Sequence, residues 1–152
     1  MKKNVYHSVQ CKDIDSRMID EKVVVSGWVQ TIRDHGGVLF LDLRDNTDIL
    51  QVVSNDDSIF AKLAKESVIS VTGTIRKRSE ETYNEKLTTG EVELLVDDLR
   101  VLSTSLHELP FVIQNSKDSS EDVRLKYRYL DMRNSKVMDK LKLRSDVLYF
   151  LR

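Results

Sequence analysis

The sequence predicts a mainly β fold, a five-stranded Greek-key barrel with one inserted helix, followed by a linker and C-terminal helices. Two observations predict it. Hydrophobic side chains alternate with a period of two from residue 22 to residue 103, which is typical of half-buried strands. Five runs rich in Val, Ile and Leu are separated by turn-forming stretches, and these runs cover residues 23–25, 38–43, 49–53, 68–75 and 92–96.

The segments between the runs fit two hairpins and one helix. Residues 34–37 (DHGG) and 45–48 (DNTD) are short and rich in turn-forming side chains, so they can connect the first three strands as a meander. Residues 56–65 begin with two aspartates that can cap a helix and then place apolar residues at helical spacing. Strand, strand, strand, helix, strand, strand is the order of the OB-fold, a Greek-key barrel whose face binds oligonucleotides.

The chain after the barrel is expected to be a linker and then helices. We divide the whole sequence into a barrel (1–103), a hinge or linker (104–120) and the helical start of a truncated further domain (121–152). The only proline, Pro110, and the polar stretch 114–118 favour the linker. A first helix is expected from about Glu121 to Arg133 and a second from about Ser135, with an apolar face whose partner lies outside the chain.

Composition and motifs exclude several classes of function. Cys11 is the only cysteine, which excludes an internal disulfide and a cysteine zinc site, and the three histidines lack helical metal-motif spacing. We therefore expect no metal and no cofactor in this chain. Asp34 and His35 adjoin a turn but lack a nucleophile motif or a phosphate-binding glycine loop, so no catalytic residue is expected.

The cellular location is predicted from the absence of membrane and export signals. No apolar run approaches the roughly 20 residues that span a bilayer, and the N-terminus lacks the apolar core of a signal peptide. The sequence therefore predicts a cytoplasmic protein. Residues 1–103 carry more acidic than basic side chains, so contact with a nucleic acid there must be local.

The outer face of the predicted second strand carries an aromatic side chain. Alternation places Leu39, Leu41 and Leu43 in the core and Phe40 on the opposite face, beside charged residues. An exposed ring in that position suits stacking on a nucleic-acid base. The alternative is that the linker or the terminal helix covers Phe40.

Polar side chains on the other strands can complete a base-reading surface. Gln51 faces away from the core while its neighbours on the same strand face into it, and its amide can pair with the edge of a base. Arg76 and Arg78 offer guanidinium donors, and Glu93 can accept from guanine. The alternative is that these charges, with Glu91, form cross-strand ion pairs on a solvated face.

Six motifs run through the chain in order. They are SGWV (26–29), RDHGGVLFLDLRD (33–45), TGTIR (72–76), TGEVE (89–93), LPF (109–111) and RLKYRYLDMR (124–133). In this order and spacing they closely resemble the anticodon-binding domain of bacterial aspartyl-tRNA synthetases. The likeness covers nearly the whole chain. Asparaginyl and lysyl synthetases share the barrel and some of the shorter pieces.

The resemblance implies an anticodon-binding site. The ring of Phe40 would stack on the central anticodon base. Other anticodon contacts would come from the side chains of Gln51, Glu93, Arg33 and Arg78, with Asn84 in a loop near them.

Two of the implied residues lie at one end of the first hairpin. By alternation Arg33 faces the core, so a bulge or the strand end must re-aim it. His35 resembles the residue found in this turn in enzymes that also charge asparagine tRNA, whose anticodon differs from that of aspartate tRNA only in its last base.

The resemblance also implies properties of a longer protein. It would be a class II, ATP-dependent aspartate–tRNA ligase that uses ATP and magnesium, binds tRNA and forms a homodimer through its catalytic domain. The ATP and aspartate motifs would lie beyond Arg152, so this chain alone is expected to be inactive. The alternatives are a stand-alone OB-fold protein that binds single-stranded RNA or DNA, and the anticodon domain of an asparaginyl or lysyl synthetase.

Overall fold

The computed structural model describes residues 4–60, 63–79, 82–85, 87–105 and 108–152. The chain divides into two compact units, Met1–Leu106 and His107–Arg152. The first unit is a closed barrel of five strands, so the predicted fold class is confirmed. None of the described helices has the length and apolar character needed to cross a membrane.

The five strands of the barrel follow the predicted runs but are longer at several ends. They are β1 (Lys22–Asp34), β2 (Leu39–Arg44), β3 (Ile49–Ser54), β4 (Val68–Lys77) and β5 (Val92–Ser103). Their order around the barrel is β1-β2-β3-β5-β4, and β4 pairs back with β1. The β3–β5 pair is parallel and the other pairs are antiparallel. This closure leaves one continuous outer surface across all five strands.

The core of the barrel is built from the inward side chains of every strand. Leu39, Leu41 and Leu43 are buried, as alternation predicts. Gly73 of β4 lies where β5 approaches closely, because a Cβ added there would stand 2.1 Å from the carbonyl oxygen of Leu95. Cys11 is fully buried in the same core, and burial raises the pKa of its thiol, which makes it an unreactive packing residue.

The predicted helix between the third and fourth strands is present but shorter. The described helix α1 spans Asp57–Phe60, and residues 61–62 lie outside the described part of the chain. Asp56 caps it, since its Oδ1 accepts a hydrogen bond of 2.9 Å from Ser58 N. Phe60 is buried in the barrel core, so α1 packs against the hydrophobic interior.

The second unit differs from the prediction in two places. Residues expected as linker contain a 3-10 helix, Ile113–Asp118, because Ile113 and Ser116 are buried there. The prediction of a single helix over residues 121–133 is wrong. The chain is broken there at Tyr127 (φ −109°, ψ 43°) into two helices, α2 (Glu121–Lys126) and α3 (Arg128–Asp131).

Buried contacts explain the break. Beyond Tyr127, Leu130 packs with Phe111 and Ile113, while Asp131 is fully buried and accepts a 2.7 Å hydrogen bond from Ser116 Oγ. Burial opposes ionisation of Asp131, but hydrogen bonds from Arg124 and Ser116 outweigh it and hold the pKa of Asp131 below its usual range. The stabilisation from these tertiary contacts is larger than the small local preference for a continuous helix.

The last helix begins where the sequence predicts. Helix α4 spans Ser135–Leu151, and Asn134 caps it by accepting a 3.0 Å hydrogen bond from Lys136 N. Asn134 also donates to Gln114 O and Ser116 Oγ, which ties the start of α4 to the 3-10 helix. Val137 is the buried residue of α4.

Candidate functional site

A β-bulge in β1 sets which side chains reach the outer face of the barrel. Val29 pairs with Leu43 but Thr31 pairs with Asp42, so Gln30 is an extra residue. The extra residue reverses the alternation, and Arg33 comes to lie opposite Phe40 on the outer face. The sequence left open whether a bulge or the strand end re-aims Arg33, and the structure has the bulge.

The turn between β1 and β2 places His35 beside Phe40. Gly36 and Gly37 have φ of 66° and 96°, a left-handed geometry that suits a tight hairpin and that glycine adopts without strain. His35 N donates to Val38 O at 3.0 Å and closes the turn. The rings of His35 and Phe40 meet edge to face, with centroids 5.6 Å apart.

Phe40 itself lies outside the barrel core. Its side chain is half-buried, whereas both of its β2 neighbours, Leu39 and Leu41, belong to the core cluster. Across the sheet it pairs with Arg33 on one side and with Val53 on the other. The ring therefore stands among the outward side chains of β1, β2 and β3.

A row of charged and amide side chains crosses all five strands next to Phe40. We call it the polar row, and it consists of Arg33 (β1), Asp42 (β2), Gln51 (β3), Glu93 (β5) and Arg76 (β4). Asp42 pairs with Gln51 in the β2–β3 register, and Glu93 pairs with Arg76 in the β4–β5 register. The strand order thus brings together residues that lie up to sixty positions apart in the sequence.

Hydrogen bonds link the polar row into two groups. Arg33 Nη2 donates to Asp42 Oδ1 at 2.7 Å. Glu93 is the centre of the other group, accepting from Arg76 Nε at 2.6 Å and from Gln51 Nε2 at 3.0 Å. Arg76 and Glu93 thus form the cross-strand ion pair that the sequence left open as an alternative, and the same residues also lie on the candidate ligand face. Glu91 is exposed and precedes β5.

Arg78 lies at the edge of the row but is buried. Its Nε donates to Val92 O at 2.9 Å and its Nη1 to Thr82 O at 3.3 Å. Its Nη2 is buried and has no hydrogen-bond partner among the described residues. Burial lowers the pKa of Arg78, while the nearby carboxylates of Glu93 and Asp42 oppose that change.

Asn84 lies in the loop that Arg78 helps to hold. Its backbone carbonyl accepts from Leu87 N at 3.2 Å, and its backbone N–H donates to Gly90 O at 3.4 Å. A Cβ on Gly90 would stand 1.9 Å from Asn84 O, so glycine is needed for the loop to close. The predicted site residues Arg78 and Asn84 are thus linked through Thr82, whose carbonyl accepts from Arg78.

Arg44, on the outer face of β2, has a different environment. Arg44 Nη2 contacts both carboxylate oxygens of Glu66 at 2.8 Å, and both side chains are buried. Arg44 Nη1 donates to Gln30 Oε1 at 3.1 Å, and its guanidinium lies over the Trp28 ring at 5.6 Å. This cluster holds the bulge residue and the segment before β4 against β2.

The arrangement supplies the chemistry of nucleic-acid binding. An aromatic ring can stack on a base, an amide can pair with a base edge, and guanidinium and carboxylate groups can donate to or accept from bases. Asp42 also lies on this face, and sequence reasoning assigned it no role. The signal that could have found it is its pairing with Arg33, which depends on the bulge. In the described part of the chain there is no group of three His, Cys, Asp or Glu side chains that could hold a metal ion.

Comparison with known proteins gives a consistent result. The sequence profile of the tRNA anti-codon family, described as OB-fold nucleic acid binding domain, matches residues 23–102. Aspartate–tRNA(Asp/Asn) ligase of Roseobacter denitrificans is 43% identical over 153 residues, which are 98% of this chain and 26% of that protein. The same ligase of Chlorobium phaeobacteroides is 41% identical over 150 residues, 95% of this chain and 24% of that protein. The chain thus spans about a quarter of the length of these curated relatives.

Solved structures show the same fold. Asparaginyl-tRNA synthetase from Pyrococcus horikoshii complexed with asparaginyl-adenylate superposes with a TM-score of 0.78 at 26% identity, over 96% of this chain and 33% of that chain. Aspartyl-tRNA synthetase from Entamoeba histolytica gives a TM-score of 0.78 at 22% identity, over 90% of this chain and 34% of that chain. The second likeness concerns the fold alone.

Proposed function

The chain belongs to the tRNA anti-codon family of OB-fold nucleic acid binding domains, and we propose that it reads the anticodon of aspartate tRNA, and also that of asparagine tRNA, as part of an aspartyl-tRNA synthetase. The observation that carries the proposal is the polar row beside Phe40. It joins one aromatic ring to hydrogen-bonding side chains from all five strands on a single face.

The charges of the site favour base recognition over phosphate binding. Arg33, Arg76 and Arg78 bring three guanidiniums, and Asp42 and Glu93 bring two carboxylates. Binding through the phosphate backbone draws its free energy from neutralising phosphates, which these carboxylates oppose. Carboxylates can instead accept from base amino and imino groups, as direct readout of bases requires.

Each proposed contact follows from the position of a side chain. Phe40 stacks on the central anticodon base, since its ring is half-buried outside the core. Gln51 and Glu93 are both buried and are joined by a 3.0 Å hydrogen bond, and they would offer an amide and a carboxylate to a second base. Arg33 donates from the β1 end of the row, Arg78 donates from beside its β4 end, and Asn84 contributes from the loop beside Arg78.

We propose that His35 helps the site to accept both the aspartate and the asparagine tRNA. The relatives named above are aspartate–tRNA(Asp/Asn) ligases, and the two anticodons differ only in the last base. His35 lies at the hairpin tip in edge-to-face contact with Phe40, so it stands beside the proposed central base. A ring there can contact the neighbouring anticodon base without strong preference between pyrimidines.

The whole protein is proposed to be an ATP-dependent aspartate–tRNA ligase of the cytoplasm. It would use ATP and magnesium in a catalytic domain and form a homodimer through that domain. Within this chain, residues 1–103 would bind the anticodon, residues 104–120 would connect, and residues 121–152 would begin the catalytic part. This chain spans about a quarter of its relatives, and we assign it no catalytic residue.

The test is the sequence dependence of binding. Anticodon stem-loops with GUC, GUU and a scrambled triplet are titrated into the protein at one fixed salt concentration, because affinities for nucleic acids change steeply with salt. We expect GUC and GUU to bind more tightly than the scrambled triplet, by about tenfold or more for one base-specific contact. Equal affinity for all three would refute anticodon reading and favour a stand-alone OB-fold protein for single strands.

A further inference from the structure

Arg33 and Asp42 form the more exposed of the two ion pairs in the polar row. The Arg33 side chain is 47% exposed and that of Asp42 is 16% exposed, and one hydrogen bond of 2.7 Å joins Nη2 to Oδ1. A guanidinium has five N–H donors, so this bond leaves four of them for a ligand. Asp42 therefore restricts the orientation of the Arg33 guanidinium and uses only one of its N–H donors.

The pair is fixed at its backbone as well. The bulge at Gln30 puts Arg33 opposite Phe40, and Asp42 follows two positions later on the same face of β2. Without an anchor, a half-exposed arginine samples many rotamers, and ordering it on binding costs free energy. Asp42 removes part of that freedom before any ligand arrives.

The carboxylate also changes what Arg33 can bind. A free guanidinium on a barrel face attracts any phosphate, because the attraction needs only charge. With Asp42 at 2.7 Å, the pair has no net charge and a phosphate is repelled by the carboxylate. A neutral base acceptor is not repelled, so the pair selects base edges over the backbone.

We propose that Asp42 is a specificity-determining positioning residue, which holds Arg33 so that its remaining donors meet a base of the anticodon rather than a phosphate. The inference rests on the proposed function. It assigns Asp42 a role that acts through Arg33, and it predicts that removing the carboxylate charge lowers discrimination between anticodons without lowering affinity for RNA in general.

The experiment measures stem-loop binding by the Asp42→Asn variant. Asparagine keeps the size but not the charge, so the ratio of GUC to scrambled affinity should fall about tenfold, the worth of one good base contact. Affinity for the scrambled stem-loop should stay equal or rise, and the salt dependence should steepen by about 0.7 in log K per log salt for one new phosphate contact. A structural role would instead weaken every stem-loop alike, and that outcome would overturn the proposal.

Three further variants isolate the mechanism. In an Arg33→Ala background, Asp42→Asn should change the ratio no further, because Asp42 acts through Arg33; additive losses would contradict this. Arg33→Lys, which keeps the charge but not the planar fork, should lose discrimination and keep overall affinity, and it tests the proposal without changing Asp42. Asp97→Asn removes the same charge from the exposed Lys22–Asp97 pair and should leave the ratio unchanged.

The wild-type protein separates the two levels of the proposal. If it does not distinguish the three stem-loops, anticodon reading fails and Asp42 loses its role with it. If it distinguishes them and Asp42→Asn distinguishes them equally well, anticodon reading stands and the role of Asp42 is refuted.

Discussion

Two arginine–carboxylate pairs lie on either side of the bulge at Gln30, and they differ mainly in burial. In the Arg44–Glu66 pair the side chains are 10% and 5% exposed, and one guanidinium nitrogen contacts both carboxylate oxygens. In the Arg33–Asp42 pair they are 47% and 16% exposed and share one hydrogen bond. A guanidinium and a carboxylate thus form a structural link on one side of the bulge and part of the proposed ligand surface on the other.

Burial decides which role each pair can take. Charges in a buried pair have given up water, so either one becomes costly when its partner is removed. Charges in a half-exposed pair keep much of their hydration, and their mutual contribution to stability is small. Because the Arg33–Asp42 pair contributes little to folding, a ligand can contact it with little loss of stability, and the pair therefore suits a recognition site.

The largest effect is expected from Glu66→Gln. The change removes the charge opposite buried Arg44 and should lower the free energy of unfolding by about 3–5 kcal/mol. Urea denaturation measures it as a lower midpoint at unchanged slope. Glutamine keeps the length of the side chain at a residue whose φ is 65°, so backbone strain is matched.

The double variant Arg44→Met with Glu66→Gln controls this prediction. It removes the stranded buried cation and should be more stable than Glu66→Gln alone, because an unpaired buried charge costs more than the buried glutamine amide that remains. Asp97→Asn, in an exposed pair of the same barrel, should change stability by less than about 1 kcal/mol. A loss at Glu66 as small as that at Asp97 would remove the distinction between the two sides of the bulge.

An intermediate effect is expected from Phe40→Ala, and it should appear in binding. Loss of the stacking ring should weaken the GUC stem-loop by about 1–3 kcal/mol at fixed salt. Folding stability should change little compared with a core substitution, because Phe40 lies outside the core cluster. Fluorescence anisotropy of a labelled stem-loop and urea denaturation give the two measurements.

Two comparisons make this result interpretable. Tyr6→Ala removes another partly exposed aromatic ring of the barrel, one that lies against Arg100, and should leave stem-loop affinity unchanged. Leu41→Ala removes a fully buried neighbour and should cost about 2–5 kcal/mol of stability. If Phe40→Ala destabilises the fold as much as Leu41→Ala, the ring is a core residue and the ligand face is assigned wrongly.

Local patterns in the sequence were sufficient for the barrel and for most side-chain directions. Alternation in β2 and β3 placed Leu41 and Leu50 inside, and Gly36 and Gly37 marked the hairpin through their need for positive φ. The start of α4 near Ser135 was also predicted, and there Asn134 accepts a hydrogen bond from Lys136 N. These features are local, so a single sequence contains the information for them.

Features that depend on tertiary contacts were not predictable in the same way. The pairing of Arg44 with Glu66 joins β2 to the segment before β4, and no local pattern marks it. The break at Tyr127 follows from burial of Leu130 and Asp131. Alternation alone placed Arg33 inward, and only the conflict between that placement and the family motif pointed to the bulge.

The smallest effect is expected from Arg33→Ala on folding stability. Loss of the pair should lower the free energy of unfolding by less than about 1 kcal/mol, because an arginine side chain that is 47% exposed is well screened by solvent. Loss of the arginine stem adds a small packing contribution to this change. Urea denaturation of Arg33→Ala and Asp42→Asn, side by side with Glu66→Gln, ranks the pairs directly. A loss above about 2 kcal/mol at Arg33 would show that this pair also holds the fold, and burial would then not explain why one side of the bulge is structural and the other is free to bind.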